Sequence, residues 1–205
     1  MNRFSKYVFG ALLATPMLAS AAVDLVTNGS FEADPQSNGS WNIYSSLTGW
    51  NGSPNIELRN NVAGTAYDGS NFVELDTHSN SSMSQLLTGA SGLYELSFWY
   101  SARPGTGATN DLSFSFDGIA NGTVLTGIGN AGSNHSWQHF SQIVNFDGNG
   151  LLTFSAVGIS DSYGGSLDMV SFTSLIPITD RNSNNIAFTF GRGHHGTEGK
   201  WDGAT

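Results

Sequence analysis

The chain has 205 residues and a formal net charge of −9, with 26 glycines, no cysteine and only 11% charged residues. This length allows one domain of ordinary size or two very small ones. The composition excludes a long helical bundle or coiled coil, which is rich in Ala, Glu, Lys, Leu and Arg. The acidic balance and the lack of a basic stripe exclude nucleic acid as a partner. The 13 Phe, 5 Trp and 6 Tyr provide enough apolar surface to exclude general disorder.

The first 21 residues have the pattern of an export signal. Arg3 and Lys6 form a positive region, residues 7–18 are apolar, and the small residues Ala19 and Ala21 precede the expected cleavage point. We therefore predict a signal peptide over residues 1–21 and a secreted protein, in a Gram-negative bacterium, that uses no disulfide. Beyond the signal no segment reaches the roughly 18 apolar residues of a membrane span.

Residues 22–175 read as short strands separated by turns. Leu112, Phe114 and Phe116 alternate with polar residues, which is the two-residue period of a half-buried strand. The same period recurs around Leu96, Phe98, Tyr100, Phe140, Val144, Phe146, Leu152, Phe154, Ala156, Val170 and Phe172. The turn signals are Asp117-Gly118, Asn121-Gly122, Asp147-Gly148 and Asn149-Gly150. This spacing predicts an all-β fold, an antiparallel β-sandwich of the jelly-roll type.

Glu74 and Asp76 form a pair of acidic residues whose spacing bears on catalysis. They are two residues apart, so on a strand both side chains face the same way. Glycosidases use two carboxylates about 5–10 Å apart that flank a sugar ring. Because this pair points in parallel, we predict no catalytic residues and no enzyme. The pair is then a polar surface row or a set of acceptors for sugar hydroxyls; a glycan hydrolase or lyase is the enzymatic alternative.

The two ends of this segment carry more specific motifs. Residues 25–32 read L-x-x-N-G-x-F-E, Gly49-Trp50 follows, and residues 165–172 contain an aspartate at position 168 followed by x-V. These motifs resemble the galactose-binding-like jelly rolls, including the carbohydrate-binding modules attached to xylanases and other glucanases. Residues 68–76, 84–85, 96–105 and 160–165 resemble secreted bacterial proteins of the PEP-CTERM type. The resemblance extends from residue 23 to about residue 175.

The resemblance implies a structural calcium ion where the first and last strands meet. In such modules the Glu of the opening motif and the Asp of the closing strand are ligands, which here are Glu32 and Asp168, and we predict Asn28 as a further metal-binding residue. Calcium takes six to eight oxygen ligands, and carboxylates distant in sequence can supply them. In the alternative, Asn28 and Glu32 cap a turn and Asp168 is hydrogen-bonded to backbone.

Sugar binding requires flat aromatic faces and polar side chains in a groove. Trp99 alternates with Leu96 and Phe98, so we expect it on the outer face of its strand. Arg103 is one of two arginines in this segment, and its fork of donors suits vicinal hydroxyls or a uronic carboxylate. The predicted ligand-binding residues are Trp99, Arg103, Glu74, Trp41 and Tyr44, each of which has packing as its alternative role. Trp50 is assigned to the core.

The C-terminal segment, residues 176–205, departs from the PEP-CTERM pattern. The family ends with a P-E-P motif, an apolar helix and a basic cluster, whereas this chain turns polar after Pro177. We predict a disordered or aberrant tail. If the codons for residues 187–195 are read one nucleotide later, they can encode an apolar run. We therefore hypothesise that this part of the tail is the remnant of a frame shift. The His194-His195 pair is interpreted as solvated instead of metal-binding.

The predicted function is a secreted, non-catalytic module that binds a polysaccharide, either exopolysaccharide or cell-wall glycan. The alternatives are a structural or adhesive matrix protein without a sugar site, and a glycan hydrolase or lyase. A groove lined by two or more exposed aromatic residues favours glycan binding, a smooth surface favours the matrix protein, and carboxylates facing across a deep cleft favour the enzyme. The sequence leaves the glycan and the oligomeric state open.

Overall fold

The structure, a computed structural model, describes residues 22–175 and the backbone of two short strands at 178–179 and 185–186. All regular structure in these residues is β, which confirms the predicted fold class. Across the described residues, no helix is long and apolar enough to cross a membrane. The predicted signal peptide, the other residues of the predicted tail and the proposed frame-shift segment lie outside the described residues.

The strands are hydrogen-bonded into a continuous antiparallel path that folds over at β2. In chain order they are β1 (Ser40–Leu47), β2 (Trp50–Asn60), β3 (Asn71–Glu74), β4 (Ser82–Thr88), β5 (Gly92–Ser101), β6 (Leu112–Phe116), β7 (Ala120–Val124), β8 (Gln138–Phe146), β9 (Asn149–Ala156), β10 (Ser166–Ser174), β11 (Ile178–Thr179) and β12 (Asn185–Ile186). The path is β7-β6-β9-β4-β2-β3-β10-β5-β8, with β1 paired to β2 and a separate β11-β12 pair. Residues 51–53 of β2 pair with β4, and residues 57–60 pair with β3. Strand β2 therefore joins a first layer, β7-β6-β9-β4, to a second layer, β1 and β3-β10-β5-β8.

The core lies between these two layers and is rich in phenylalanine. The ring of Phe98 in β5 lies 5.0 Å from that of Phe154 in β9, and Phe116 in β6 lies 4.9 Å from Phe172 in β10. Trp50 is 1% exposed, which confirms its assignment to the core. Each such side chain contributes about 1.5–3 kcal/mol on burial, so the sandwich is held together by packing in a chain without disulfides.

The beginning and the end of the described segment lie side by side. Leu25 N–H donates to Phe172 O at 3.0 Å, and Val170 N–H donates to Gly29 O at 2.9 Å. A Cβ atom at Gly29 would lie 1.8 Å from the carbonyl oxygen of Val170, so only glycine fits at this crossing. The opening N-G motif therefore closes the sandwich against β10.

Two dipeptides that the sequence predicts as turns lie inside strands instead. Asn121-Gly122 belongs to β7, and Asn149-Gly150 belongs to β9. A Cβ atom at Gly122 would lie 2.9 Å from the Phe114 ring, and one at Gly150 would lie 2.6 Å from the Phe116 ring. These glycines leave room for aromatic rings of β6 to lie over the neighbouring backbone, which is why they occur in strands. The other two predicted turns, at 117–118 and 147–148, separate strands as expected.

Part of the outer face of the second layer, at β2 and β3, is buried although it points away from the core. On β2, Ile56 and Leu58 face the core, while the alternating residues Glu57 and Arg59 face outward and are only 4% exposed. Glu74 on β3 lies opposite Glu57 and is fully buried. The loops between strands cover this surface, which we call the loop-covered face, and it carries the polar site described next.

Candidate functional site

An open cleft with a volume of about 290 Å³ lies at the β1–β2 edge of the loop-covered face. We call it the aromatic cleft. Its lining combines half-exposed aromatic side chains with buried charged ones, and consists of Trp41, Ile43, Glu57, Arg59, Thr77, His78, Arg103, Asp161, Ser162 and Tyr163. These residues come from β1, β2 and three separate loops. The cleft therefore exists only in the folded chain.

The pairing of β1 with β2 places four of these residues on one face. Trp41 lies opposite Arg59, and Ile43 lies opposite Glu57, in the antiparallel register. Directly opposed residues have Cβ atoms about 4.5–5.5 Å apart. The register therefore sets an aromatic and an aliphatic side chain next to an ion pair along one wall of the cleft.

The floor of the aromatic cleft is a buried network of charged groups centred on Glu74. Arg59 Nη2 lies 3.0 Å from Glu74 Oε2, and Arg103 Nη1 lies 3.2 Å from the same oxygen. Arg59 Nη2 also contacts Glu57 Oε1 as an ion pair. Glu74 Oε1 accepts a hydrogen bond from Gly164 N–H at 2.7 Å. Both oxygens of the buried carboxyl group are therefore in contact with donors.

Burial changes the protonation of the acidic groups in this network. Desolvation raises the pKa of Glu74 to about 7, although Arg59 and Arg103 act in the opposite direction. Burial likewise raises the pKa of Glu57, again against the effect of Arg59. The Nε of Arg59 has no hydrogen-bond partner within the described part of the chain. The floor is thus polar and contains a donor that the protein itself leaves unused.

Asp76 holds the loop that forms the opposite wall. Its Oδ2 accepts hydrogen bonds from the backbone N–H groups of Asp161 and Ser162 at 2.8 Å each, and from Tyr163 at 3.3 Å. A Cβ atom at Gly164 would lie 2.9 Å from Asp76 N. The loop can therefore approach β3 closely only because residue 164 is glycine. Glu74 and Asp76 point in parallel and hold backbone, and they do not face each other across a cleft.

Two aromatic side chains remain available at the rim. Trp41 is 52% exposed and Tyr163 is 47% exposed. The guanidinium carbon of Arg103 lies 4.5 Å from the centre of the Tyr163 ring, which is a cation–π contact. Arg103 Nη1 also donates to Ser162 O at 2.9 Å. The position of Tyr163 is thus fixed by Arg103 below it and by Asp76 behind its backbone.

The structure brings some of the predicted ligand-binding residues together and separates others. Trp41 and Arg103 line the aromatic cleft, and Glu74 lies directly beneath it. Tyr44 lies on the other side of β1, packed against the core, with its hydroxyl donating to Gln36 Oε1 at 3.0 Å. Trp99 lies on β5, away from this cleft.

Trp99 belongs to a second group of aromatic residues on the loop-covered face. Its ring stacks on that of Tyr67 at 3.7 Å, and Tyr67 is in turn 6.4 Å from Trp137. We call these three residues the Trp99 cluster. The indole is partly exposed, as the alternation of β5 predicts, but Tyr67 covers one of its faces. Beside the cluster, burial lowers the pKa of His135 to about 4.

The predicted calcium ligands hold the backbone of one loop. Glu32 Oε1 accepts hydrogen bonds from Ser70 and Asn71 N–H, and Asp168 Oδ2 accepts from Tyr67 and Asp68 N–H at 2.8 and 3.0 Å. Asn28 donates its side-chain amide to Asp34 Oδ2 at 2.8 Å and accepts from Ala33 N–H at 3.0 Å.

Each of these carboxyl groups uses one oxygen for two N–H groups, and within the described residues the Oε2 atom of Glu32 accepts no hydrogen bond. Residues 22–175 contain no group of three or more His, Cys, Asp or Glu side chains arranged to hold a metal ion. The hydrogen bonds themselves are those of the alternative, in which these side chains cap backbone. Calcium binding stays a prediction. Burial raises the pKa of Asp168 to about 7, against the effect of its three N–H donors.

Sequence reasoning missed several residues of the aromatic cleft, chiefly Glu57, Arg59 and Tyr163. A signal for Arg59 was present, because it and Arg103 are the two arginines among residues 22–175. A buried arginine requires a partner, and the shared partner is Glu74. No local pattern pointed to Tyr163, because it reaches the cleft on a loop.

Comparison with solved structures shows the fold. FisC, a Stig cyclase from Fischerella sp. TAU in complex with (3Z)-3-(1-methyl-2-pyrrolidinylidene)-3H-indole, is similar with a TM-score of 0.53 at 13% identity, over 75% of this chain and 98% of that chain. The apo form of a cyclase from Fischerella sp. gives 0.54 at 13% identity, over 74% and 96%. The carbohydrate-binding module TmCBM61 in complex with beta-1,4-galactotriose gives 0.47 at 17% identity, over 73% and 97%. No protein-family model and no curated protein sequence matches the chain.

The prediction that this protein is not an enzyme is corrected by these comparisons. Two similar structures with TM-scores above 0.5 are cyclases, so the inference from the parallel orientation of Glu74 and Asp76 to a lack of catalysis is wrong. The physical reason is that a sandwich provides a scaffold, while the loops that cover it supply either binding or catalytic groups. Other similar structures, with TM-scores below 0.5, are carbohydrate-binding modules, and the PEP-CTERM affiliation stays a prediction.

Proposed function

We propose that this protein binds a glycan in the aromatic cleft. The observation that carries the proposal is the pair of half-exposed rings, Trp41 and Tyr163, at the rim of a cleft with a hydrogen-bonding floor. Pyranose rings have apolar faces that pack on aromatic rings and hydroxyls that require polar partners, so this combination is typical of a saccharide site.

The floor of the aromatic cleft is ordered before a ligand arrives. Arg103 is held by Glu74, by Ser162 O and by the Tyr163 ring, and Arg59 is held by Glu57 and Glu74. A preordered site loses little side-chain entropy on binding. We infer that the rings provide most of the contact area, while the arginine donors orient the sugar.

The ligand that we propose is an extracellular polysaccharide, either an exopolysaccharide or a cell-wall polymer. This part of the proposal is supported by the predicted signal peptide. An open cleft admits an internal stretch of a polymer from the side. The alternative of a matrix protein without a sugar site required a surface without a groove, so the cleft favours glycan binding.

Catalysis in the same cleft is a second candidate, which one residue favours. Glu57 lines the cleft, and burial raises the pKa of its carboxyl group. A raised pKa is the direction of change that a general acid requires. Every ligand that binds is therefore to be incubated with the protein and then analysed for new products by chromatography.

The test of the proposed function is a glycan array with the full chain and with two variants, Trp41→Ala and Tyr163→Ala. We expect each to weaken binding by about tenfold or more, because rings central to an interface often contribute above 1.4 kcal/mol. Tyr67→Ala is the matched control, since Tyr67 is also a half-exposed aromatic residue but belongs to the Trp99 cluster. Equal loss in all three variants, or loss only in Tyr67→Ala, contradicts the proposal.

A further inference from the structure

The arginines of the aromatic cleft are already committed to the protein's own acidic groups. Arg59 Nη2 contacts both Glu57 and Glu74, and Arg103 Nη1 contacts Glu74 and the carbonyl oxygen of Ser162. An arginine binds a carboxylate strongly when it can offer two parallel N–H groups. A ligand carboxylate would therefore compete with these internal partners for the positive charge of each guanidinium group, and one of the partners is fully buried.

The charge around the cleft has no positive excess. Two arginines face three acidic groups that line or underlie the cleft, namely Glu57, Glu74 and Asp161. With Glu74 protonated the two signs balance, and with Glu74 ionised the acidic groups are in excess. Residues 22–175 as a whole carry 13 acidic and two basic side chains, so the surrounding field is also negative. Because both arginines of the cleft are already paired with these acidic groups, a carboxylate that enters the cleft meets a surrounding field that is negative overall.

A hydroxyl group, in contrast, suits what the cleft leaves available. The Arg103 side chain is 17% exposed, and Nη1 is the guanidinium nitrogen that contacts acceptors in the described residues. Thr77, Ser162 and the Tyr163 ring complete the walls with neutral groups. Uncharged hydroxyls accept from or donate to such groups without the cost of desolvating a full charge.

We infer that the aromatic cleft selects uncharged saccharides and discriminates against those that carry uronic acids. This inference rests on the proposed function and goes beyond it by naming the ligand class. The inference rests on the ion pairs by which Glu57 and Glu74 offset the charges of Arg59 and Arg103. Asp161 adds a further negative charge at the rim of the cleft.

The test uses pairs of oligosaccharides that have the same length and linkage and differ only at C6, where one member has a hydroxymethyl group and the other a carboxylate. Oligomers of β-1,4-linked glucose and α-1,4-linked galactose, each with its uronate counterpart, serve as probes in calorimetric titrations at low salt. We expect the neutral member of every binding pair to bind at least about tenfold more tightly.

A charge-removing variant tests the cause of this selectivity. Asp161→Asn keeps an oxygen that can accept from Tyr163 N–H but removes one rim charge. At about 7 Å in a solvent-like medium this change is expected to raise the affinity for the uronate member relative to that for its neutral partner by roughly threefold. Asp147→Asn is the matched control, because Asp147 lies in the turn at the opposite end of β9.

The outcomes separate the two proposals. Tighter binding of the uronate members, or Asp161→Asn acting no differently from Asp147→Asn, overturns the inference and leaves glycan binding in place. Binding of no member of any pair, in this panel and on the glycan array, contradicts the proposed function and removes the inference with it. Tighter neutral binding that Asp161→Asn partly relaxes supports both.

Discussion

Arg59 and Arg103 contact the same oxygen of Glu74, one from strand β2 and the other from the loop after β5. Their side chains meet a fully buried carboxyl group at distances of 3.0 and 3.2 Å. This relationship ties two parts of the chain that are far apart in sequence to the short strand β3. It also builds the floor of the aromatic cleft.

Replacement of Glu74 is therefore expected to be strongly destabilising. Glu74→Ala leaves Arg59 and Arg103 without their shared acceptor, and loss of one partner from a buried ion pair costs about 3–5 kcal/mol of unfolding free energy. Denaturant unfolding measures this loss. Asp161→Asn, which alters an exposed acidic residue nearby, is expected to change the unfolding free energy by less than about 0.5 kcal/mol. Similar values for the two variants would contradict the importance of the network.

Gly164 allows the Tyr163 loop to lie against β3. We expect Gly164→Ala to weaken glycan binding together with stability, because the new Cβ atom would lie 2.9 Å from Asp76 N and 3.3 Å from Glu74 Cγ. The loop must move away, which carries Tyr163 out of position. Thermal melting and glycan titration measure the two effects. Gly105→Ala serves as a control with open space around its Cβ position, although its positive φ makes a small loss of stability expected there as well.

The extent to which sequence predicts this structure depends on how local the determining pattern is. The alternation of Leu112, Phe114 and Phe116 identifies β6 correctly, since one face of that strand packs on the core and the other meets solvent. In β2 the same alternation is concealed, because Glu57 and Arg59 face outward and are nevertheless buried by loops. On the loop-covered face, a polar residue type therefore does not indicate an exposed side chain.

The candidate site was partly predictable for the same reason. Trp41 and Arg103 were identified by residue type, because an aromatic residue in a polar stretch and a rare arginine are informative on their own. Tyr163 joins them through hydrogen bonds from its loop to Asp76, 87 positions away in the chain. The stacking of Tyr67 over Trp99 likewise joins a loop to a strand. Contacts of this kind leave no periodic pattern in the sequence.

Asp168 makes the stability of the protein depend on pH. Burial raises its pKa from the ordinary value of 3.8 to about 7, so the folded state binds this proton more tightly than the unfolded state does. Its contribution to stability is fully present below pH 3.8 and is lost as the pH rises through 7. Glu74, whose pKa is also raised to about 7, acts in the same direction.

His135 opposes this trend over part of the same range. Burial lowers its pKa from 6.5 to about 4, so its contribution is present above pH 6.5 and is lost as the pH falls through 4. The two acidic groups together change the free energy of unfolding between these pH values by more than the one histidine does. We therefore expect the melting temperature to be higher at pH 5 than at pH 8. Asp168→Asn is expected to flatten this slope. A slope that is the same in Asp168→Asn would show that this carboxyl group is not the cause.

The calcium hypothesis has a direct test in thermal melting with excess calcium and with excess chelator. We expect equal melting temperatures, because Glu32 and Asp168 accept hydrogen bonds from the backbone of residues 67–71. Glu32→Gln then lowers the melting temperature equally in both conditions. A rise of several degrees with calcium that disappears in Glu32→Gln would restore the calcium site that the resemblance implies.

The position of a bound glycan tests the central claim most directly. The indole N–H signals of the five tryptophans can be followed by NMR during titration with the tightest ligand from the array. The variants Trp41→Phe, Trp99→Phe, Trp137→Phe and Trp201→Phe assign the signals. We predict that the Trp41 signal shifts with saturation, while the signals of Trp50 in the core and of Trp99 and Trp137 stay in place. A shift of Trp99 or Trp137 with Trp41 unchanged would move the site to the Trp99 cluster and contradict the account.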